Sequence, residues 1–321
     1  MTTGNLLSGP IAAIAIALSM AGCPGGKSNI ADGGPDRVVE FGVLDGPCDP
    51  ASHLGGFTIA ALSAYSYVEG KVADGVVPMA ILDEISATDA CRLLKRRVLA
   101  CDPPCAPSET CDRSGTCIPF PRNQDVGVVS VYGLTVPVTM EPLPPGNNYF
   151  ATDVPNPVFE PLSPLLLEST PGVFGSLSLA GDGVALLNPL TEMWSIDVDQ
   201  DLPLAWEPPP SGARSEIVVS LTVDQHGSSP VSIECRFADT GSARVPASMI
   251  TDLINAGVSG FPNGSLTRRT MDAQTVSAGC VSLAVVSEQA ATVRVSGYTP
   301  CDHPDDCTPP QQCNLTLQLC E

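Results

Sequence analysis

The chain has 321 residues, room for two domains, and its 43% hydrophobic and 16% charged residues are those of a globular protein, which excludes a disordered tail. Thirty-two prolines and 29 glycines are too many for a helical protein and favour strands joined by turns. With 15 basic against 35 acidic residues the net charge is −20, which argues against nucleic-acid binding and suits an exposed, soluble surface.

Residues 1–26 contain no Asp, Glu, Lys or Arg. Within them Ile11 to Met20 form an apolar run too short to span a bilayer and suited to the core of a signal peptide. The run ends in Met20-Ala21-Gly22-Cys23, which resembles a bacterial lipoprotein signal. That resemblance implies a signal peptide over 1–22 and a diacylglyceryl group on Cys23. It also implies a membrane partner reached through the lipid and, with Pro24 in place of Asp, an outer-membrane location. The competing reading is an ordinary secretory leader with Cys23 structural. Of the 13 cysteines, 12 remain after Cys23, and an even number in an exported chain reads as disulfides.

The Gly-rich, polar residues 23–46 are expected to form a flexible tether. A first β domain is expected over 47–183. Its candidate strands include Ala64 to Val72, running into the Asp74-Gly75 turn, then Ile81 to Ile85 and Cys91 to Leu94. Thr58 to Ser63 fits a strand or a helix equally. Cys48 and Cys91 are the expected bridge. A Cys-rich insert, Cys101, Cys105, Cys111 and Cys117, lies within this domain. It has too little apolar content for a core and must be held by bridges. Val126 to Tyr132 and Leu134 to Met140 read as strands around Gly133, Pro142 to Pro164 as a Pro-rich crossing loop, and Phe174 to Leu187 as the approach to a second domain.

The second domain, 184–300, carries the clearest periodicity. Leu202, Leu204 and Trp206 alternate, as do Ile217, Val219, Leu221 and Val223, and Val231, Ile233, Cys235 and Phe237. Val281, Leu283 and Val285 form a further run, and Val293 with Val295 a shorter one. Short strands at this spacing predict an antiparallel sandwich. Cys235 faces inward with its neighbours, and Cys280 is its expected partner. Strict alternation turns Cys280 outward unless the strand bulges beside Gly279. Pro246 to Gly257 reads as a short helix plugging one end of the sandwich. The expected fold is mainly β: two antiparallel β-sandwich domains, immunoglobulin- or fibronectin-III-like, with two small disulfide-rich segments.

The tail 301–321 carries Cys301, Cys307, Cys313 and Cys320 and repeats the first cluster. Each cluster opens Cys-Asp and continues Cys-x-Pro-x-x-x-Cys, followed by Asp112 or Asn314. Four cysteines allow three pairings, and spacing does not choose among them. Resemblance to half of an EGF module implies first to third and second to fourth. The leader, the cluster Cys101 to Cys117, and the pieces Leu204-Ala-Trp206, Asp239-Thr-Gly241 and Val245-Pro-Ala-Ser248 together resemble the large lipoproteins of myxobacteria. The resemblance covers most of the mature chain and implies structure, with no activity attached.

Zinc is the rival reading of the clusters, but only Cys101 and Cys105 have the spacing of paired zinc ligands. Asp197-Val-Asp199-Gln-Asp201 opens like a calcium loop. Leu202 and Pro208 then stand where a turn Gly and a bidentate Glu are needed, so an edge strand with Ile196 and Val198 inward is the plainer reading. His53, His226 and His303 are the only imidazoles. Asp224-Gln-His226 could contribute to a hydrolase triad, yet no Gly-x-Ser-x-Gly elbow supplies a nucleophile. Of Trp194 and Trp206, the latter shares a face with Leu202 and Leu204 and reads as core. The functional expectation is a membrane-anchored envelope lipoprotein with a non-catalytic binding or surface-structural role, needing no metal and no cofactor. The alternatives are a tethered hydrolase using His226 and a protein-binding or inhibitor module presented by the Cys-rich segments.

Overall fold

A computed structural model of the protein describes residues 29–30, 38–191, 193–223 and 231–321. The leader, Cys23 and His226 lie outside the described residues. The fold is mainly β, with disulfide-rich segments at Cys101–Cys117 and at the C-terminal end. Its spine is a hairpin of two long strands, Asn263–Val276 and Gly279–Val295, joined by the two-residue turn Ser277-Ala278. At about 3.3 Å per residue the shorter of the two runs roughly 45 Å, longer than a single small sandwich needs.

Around this hairpin a large sheet is assembled. Its spatial order is Tyr149–Ala151, Ser66–Val72, His53–Ala61, Gly279–Val295, Asn263–Val276, Glu216–Thr222, Val231–Ala238, Cys91–Arg96 and Leu82–Ala87. Most pairs are antiparallel. His53–Ala61 and Met193–Ile196 both run parallel to Gly279–Val295. A smaller antiparallel sheet orders Asn29–Ile30, Val138–Met140, Val129–Tyr132, Pro164–Ser169 and Ser178–Asp182.

Two hydrophobic cores lie along the hairpin. At its closed end Phe57, Ile59, Val68, Leu283 and Val285 of the large sheet pack against Val129, Val131, Leu165, Leu167 and Leu179 of the small one, which makes a sandwich. At its open end Ile217, Val219, Ile233, Leu266 and Val293 are covered instead by the ribbon Leu202–Ala205 with Ser242–Val245 and by the helix Ala247–Asn255. That helix buries Met249, Ile250, Leu253 and Ile254. It lies against the strands Cys91–Arg96 and Val231–Ala238, so it is a layer of the second core. Pro246 caps its start, and Gly257 at φ 118° stops it in a conformation that a side chain would strain.

Residues 182–187 carry the chain from one core to the other, with Val184 in the first and Leu187 in the second. The strands are exchanged across that point. Cys91–Arg96, from the first half, joins the second core, and Val281 to Val285, from the second half, joins the first. The boundary at 183 therefore marks a crossing of the chain, while the large sheet runs through both halves.

This exchange corrects both expected bridges. Val231–Ala238 pairs with Cys91–Arg96 and not with the strand bearing Cys280, so Cys235 lies directly opposite Cys91, Cα to Cα 4.0 Å, and the two are bonded. Cys280 is turned away from that core by the alternation of its strand, with a register shift between Cys280 and Val281, and is bonded to Cys48. The pairs are thus Cys91–Cys235 and Cys48–Cys280, in place of Cys48–Cys91 and Cys235–Cys280. In the small segments the bridges are Cys101–Cys111 with Cys105–Cys117, and Cys301–Cys313 with Cys307–Cys320, first to third and second to fourth in each.

Other local expectations change as well. Thr58 falls in the strand His53–Ala61, and the loop Pro142 to Pro164 contains Tyr149–Ala151, an edge strand of the large sheet. The runs at 281–285 and 293–295 are parts of one strand. The described end of the expected tether, residues 38–46, lacks regular structure but is fastened to the body. Arg214 donates from Nη1 to the Gly42 carbonyl at 2.8 Å, and the Asp45 amide donates to Asp272 at 3.0 Å.

Candidate functional site: a groove beside the C-terminal knot

Between the two cores the inward face of Asn263–Val276 changes from apolar to polar: Leu266 is followed by Arg268, Thr270 and Asp272, all buried. Arg268 donates to Asp239 through Nε at 2.6 Å and Nη2 at 3.2 Å. Its remaining N–H groups reach the carbonyls of Ala185, Leu186 and Glu207. Asp239 also accepts from Trp206 Nε1 at 2.7 Å and Ser215 Oγ at 2.6 Å. Every donor of the guanidinium is thereby used, as a charge buried this deeply requires. Next along the seam, Thr270 bonds the backbone of Asp182, whose carboxylate holds Arg214 at 2.5 and 2.6 Å. Trp206 of one sequence motif meets Asp239 and Gly241 of another here, and the Trp206 amide donates to the Gly241 carbonyl at 2.9 Å. The Arg268–Asp239 pair is a buried structural node, while Arg214 at the end of the seam is partly exposed.

The residues singled out in the sequence do not assemble into a metal or catalytic centre among the described residues. Sulfurs of Cys101, Cys105 and Cys117, and of Cys301, Cys307 and Cys320, lie close together, but all six are consumed in disulfides. The three aspartates of 197–201 diverge. Asp197 accepts from the Val198 amide, Asp199 receives Thr251, and Asp201 accepts the Ala247 amide at 2.8 Å, capping the helix, while pairing with Arg244. The chain turns at Asp199, φ 59°, so Val198 is 43% exposed and not inward as an edge strand predicts. Trp194 and Trp206 are both core, Trp194 resting on Gly264, where any Cβ would strike its ring at 2.5 Å. His303 sits in the C-terminal knot, where its amide and that of Asp302 donate to Asp306 and hold that carboxyl below its usual pKa.

One Ser–His contact exists that periodicity did not show. Parallel pairing of His53–Ala61 with Gly279–Val295 brings His53 Nε2 to 2.9 Å from Ser282 Oγ, on the face of the large sheet opposite the cores. Two adjoining cavities of 290 and 460 Å³ share this pair together with Arg269 and Met271. Desolvation lowers the His53 pKa against an opposing backbone hydrogen bond at Gly55, so the imidazole is neutral at pH 7. No carboxylate is bonded to it among the described residues. The smaller cavity is also lined by Glu234, paired with Arg92 at 2.7 Å and Arg236 at 3.1 Å. Burial favours neutral Glu234, but the two arginines outweigh it and depress its pKa. Without a carboxylate to orient the imidazole, this is half of a triad.

A largely apolar groove of 610 Å³ lies at the open end of the hairpin. One wall is the strand end Ala291 to Val295, the second the segment Val258 to Asn263, and the third Tyr298, Thr299 and Pro300 together with Leu319 of the knot. The knot is docked by backbone bonds: Gly260 N–H to the Leu317 carbonyl at 2.7 Å and Cys320 N–H to the Thr299 carbonyl at 2.9 Å. It is therefore a fixed wall of the groove and not a loose tail. Phe261 and Tyr298 keep 38% and 39% of their surface exposed. Arg294 is the one charged residue in the described lining. A cavity of this size, apolar with few polar groups, has the form of a small-molecule site.

No protein-family profile matches the chain, and no curated protein matches it in sequence. A solved structure similar to it is that of the FN1–FN3 domains of chicken CNTN1, with 8% identity over 69% of each chain and a TM-score of 0.18.

Proposed function

We propose that this is an exported bacterial envelope lipoprotein, anchored in the outer membrane through a lipid on Cys23, with a non-catalytic binding role served by the groove beside the C-terminal knot. The observation that carries the reading is that groove: residues 258–263, 291–300 and Leu319 converge on an apolar hollow, with Leu319 next to the Cys307–Cys320 bridge. The leader pattern and the likeness to myxobacterial lipoproteins support the anchor and the location. The fastening of residues 38–46 to the body fits a short lead from the membrane to a rigid binding unit. Enzyme function has less behind it, because the Ser282–His53 contact has no bonded carboxylate among the described residues.

The anchor is tested by growing cells on labelled palmitate. Label is expected on the full chain and is expected to vanish in Cys23→Ala, while an unlabelled, freely secreted product would reject the anchor. The groove is tested with a neutral fluorescent apolar probe. Saturable binding that Thr299→Trp removes is expected, since Thr299 is an exposed lining residue whose enlargement fills the hollow without entering the core.

A further inference from the structure

Resting on that reading of the groove, the geometry points to its ligand class: we infer that it takes a small amphiphile with one anionic head, the apolar body lying against Phe261, Val293, Val295 and Tyr298 and the head on Arg294. The chain is strongly acidic, so most of its arginines are neutralised. Eight of them form ion pairs with carboxylates among the described residues. Arg294 forms none among the described residues, and it borders the groove. No carboxylate lines the hollow in the described structure.

The placement follows from strand alternation. Ala291, Val293 and Val295 are buried, whereas Thr292 and Arg294 are exposed on the same strand end. Arg294 thus lies on the opposite face of the strand from Val293 and Val295, and the groove runs along the strand end so that all three line it. Asn263, Thr292 and Thr299 add neutral polar groups along the lining. A guanidinium recognises a carboxylate or phosphate through paired N–H donors, and beside apolar walls that contact is less screened than in open water. An anion is favoured at this one place, although the molecule as a whole repels anions, because the interaction is local and the distant charges are screened within about 10 Å at moderate salt. A cationic ligand would meet Arg294 with no carboxylate in the described lining to offset it, and a fully polar ligand would leave the walls uncovered.

The full chain is titrated with a fluorescent polyene fatty acid, with its methyl ester, and with a neutral naphthylamine probe. The acid is expected to bind saturably and about tenfold more tightly than the ester. Arg294→Gln should remove that preference, weakening the acid about tenfold and leaving the ester unchanged, and Arg294→Lys should restore part of it. Arg294 is exposed, so these variants are expected to melt like the parent, which a thermal scan checks. If acid and ester bind equally and Arg294→Gln changes nothing while Thr299→Trp still blocks both, the head-group assignment is overturned and the groove remains a binding site. If no probe binds the parent chain, or Thr299→Trp leaves binding intact, the groove reading itself fails, and the ligand class with it.

Discussion

Arg268 and Asp239 form an ion pair at 2.6 Å with side chains only 1% and 2% exposed, set between the two hydrophobic cores. The pair joins the long hairpin to the turn after Val231–Ala238, and through Trp206 to the ribbon over the second core. Removing one partner leaves the other charged and buried, which typically costs about 3–5 kcal/mol. Arg268→Ala is therefore expected to be among the most destabilising single changes in the chain. Asp239→Asn should cost a similar amount, since the amide keeps the shape but strands the guanidinium. Urea unfolding checks both, and a change under about 1 kcal/mol would show that the pair is not what joins the cores.

The bridges Cys91–Cys235 and Cys48–Cys280 close loops of 144 and 232 residues in separation, so each strongly restrains the unfolded chain. Replacing Cys91 and Cys235 together by Ala is expected to lower stability by about 2–5 kcal/mol. Proteolysis under non-reducing conditions, followed by mass spectrometry, should recover one peptide pair containing Cys91 and Cys235 and another containing Cys48 and Cys280. Recovery of Cys48 joined to Cys91 would contradict the strand order.

The strands whose inward faces are wholly apolar were legible from sequence, because Ile217, Val219 and Leu221, or Val231, Ile233 and Cys235, show period two without interruption. The strand Asn263–Val276 was not, although it is the centre of the sheet. Its inward residues include Gly264, Arg268, Thr270 and Asp272, so a polar seam looks in sequence like an exposed loop. The same seam hid the unity of Gly279–Val295, whose middle holds the buried Ser287, a partner of the Leu187 amide, between two apolar stretches. Strand order depends on contacts 90 to 230 residues apart, which periodicity does not carry, and the two core bridges were mispaired for that reason. The bridges within each small segment were anticipated only through the resemblance to half of an EGF module, since spacing does not choose among three pairings. The groove was invisible because its walls lie at about 258, 293 and 319 and meet only through the docked knot.

Ser282 and His53 provide a direct test of the non-catalytic reading. Ser282 is only 6% exposed, and His53 has no bonded carboxylate among the described residues to orient it. A fluorophosphonate probe that labels activated serines is expected to leave Ser282 unmodified between pH 7 and 9, as judged by mass spectrometry of the intact chain. Stoichiometric labelling lost in both Ser282→Ala and His53→Ala would establish an active hydrolase centre and overturn the non-catalytic reading.

Tyr149 gives the fold a defined alkaline limit. Its ring is buried edge-on to Phe57, centroids 5.6 Å apart, and its hydroxyl accepts from the Val126 amide while donating to the Gly127 carbonyl, each at 3.0 Å. Burial, with the charge of Asp125 adding to it, raises the phenol from 10.0 to about 12. The folded state thus holds this proton more tightly than the unfolded state. The resulting stability is complete below pH 10 and is lost as the pH rises through about 12, by something on the order of 2 kcal/mol. Among the five tyrosines Tyr67 is also raised, chiefly by burial, and the Tyr149 phenolate absorbance step is expected to coincide with unfolding. Tyr149→Phe removes both hydrogen bonds and should cost about 1–3 kcal/mol at neutral pH. It should also reduce the slope of the stability profile between pH 10 and 12, because one of the two phenols raised by burial is gone. A Tyr149→Phe protein that keeps the parental alkaline transition would place its cause at another group.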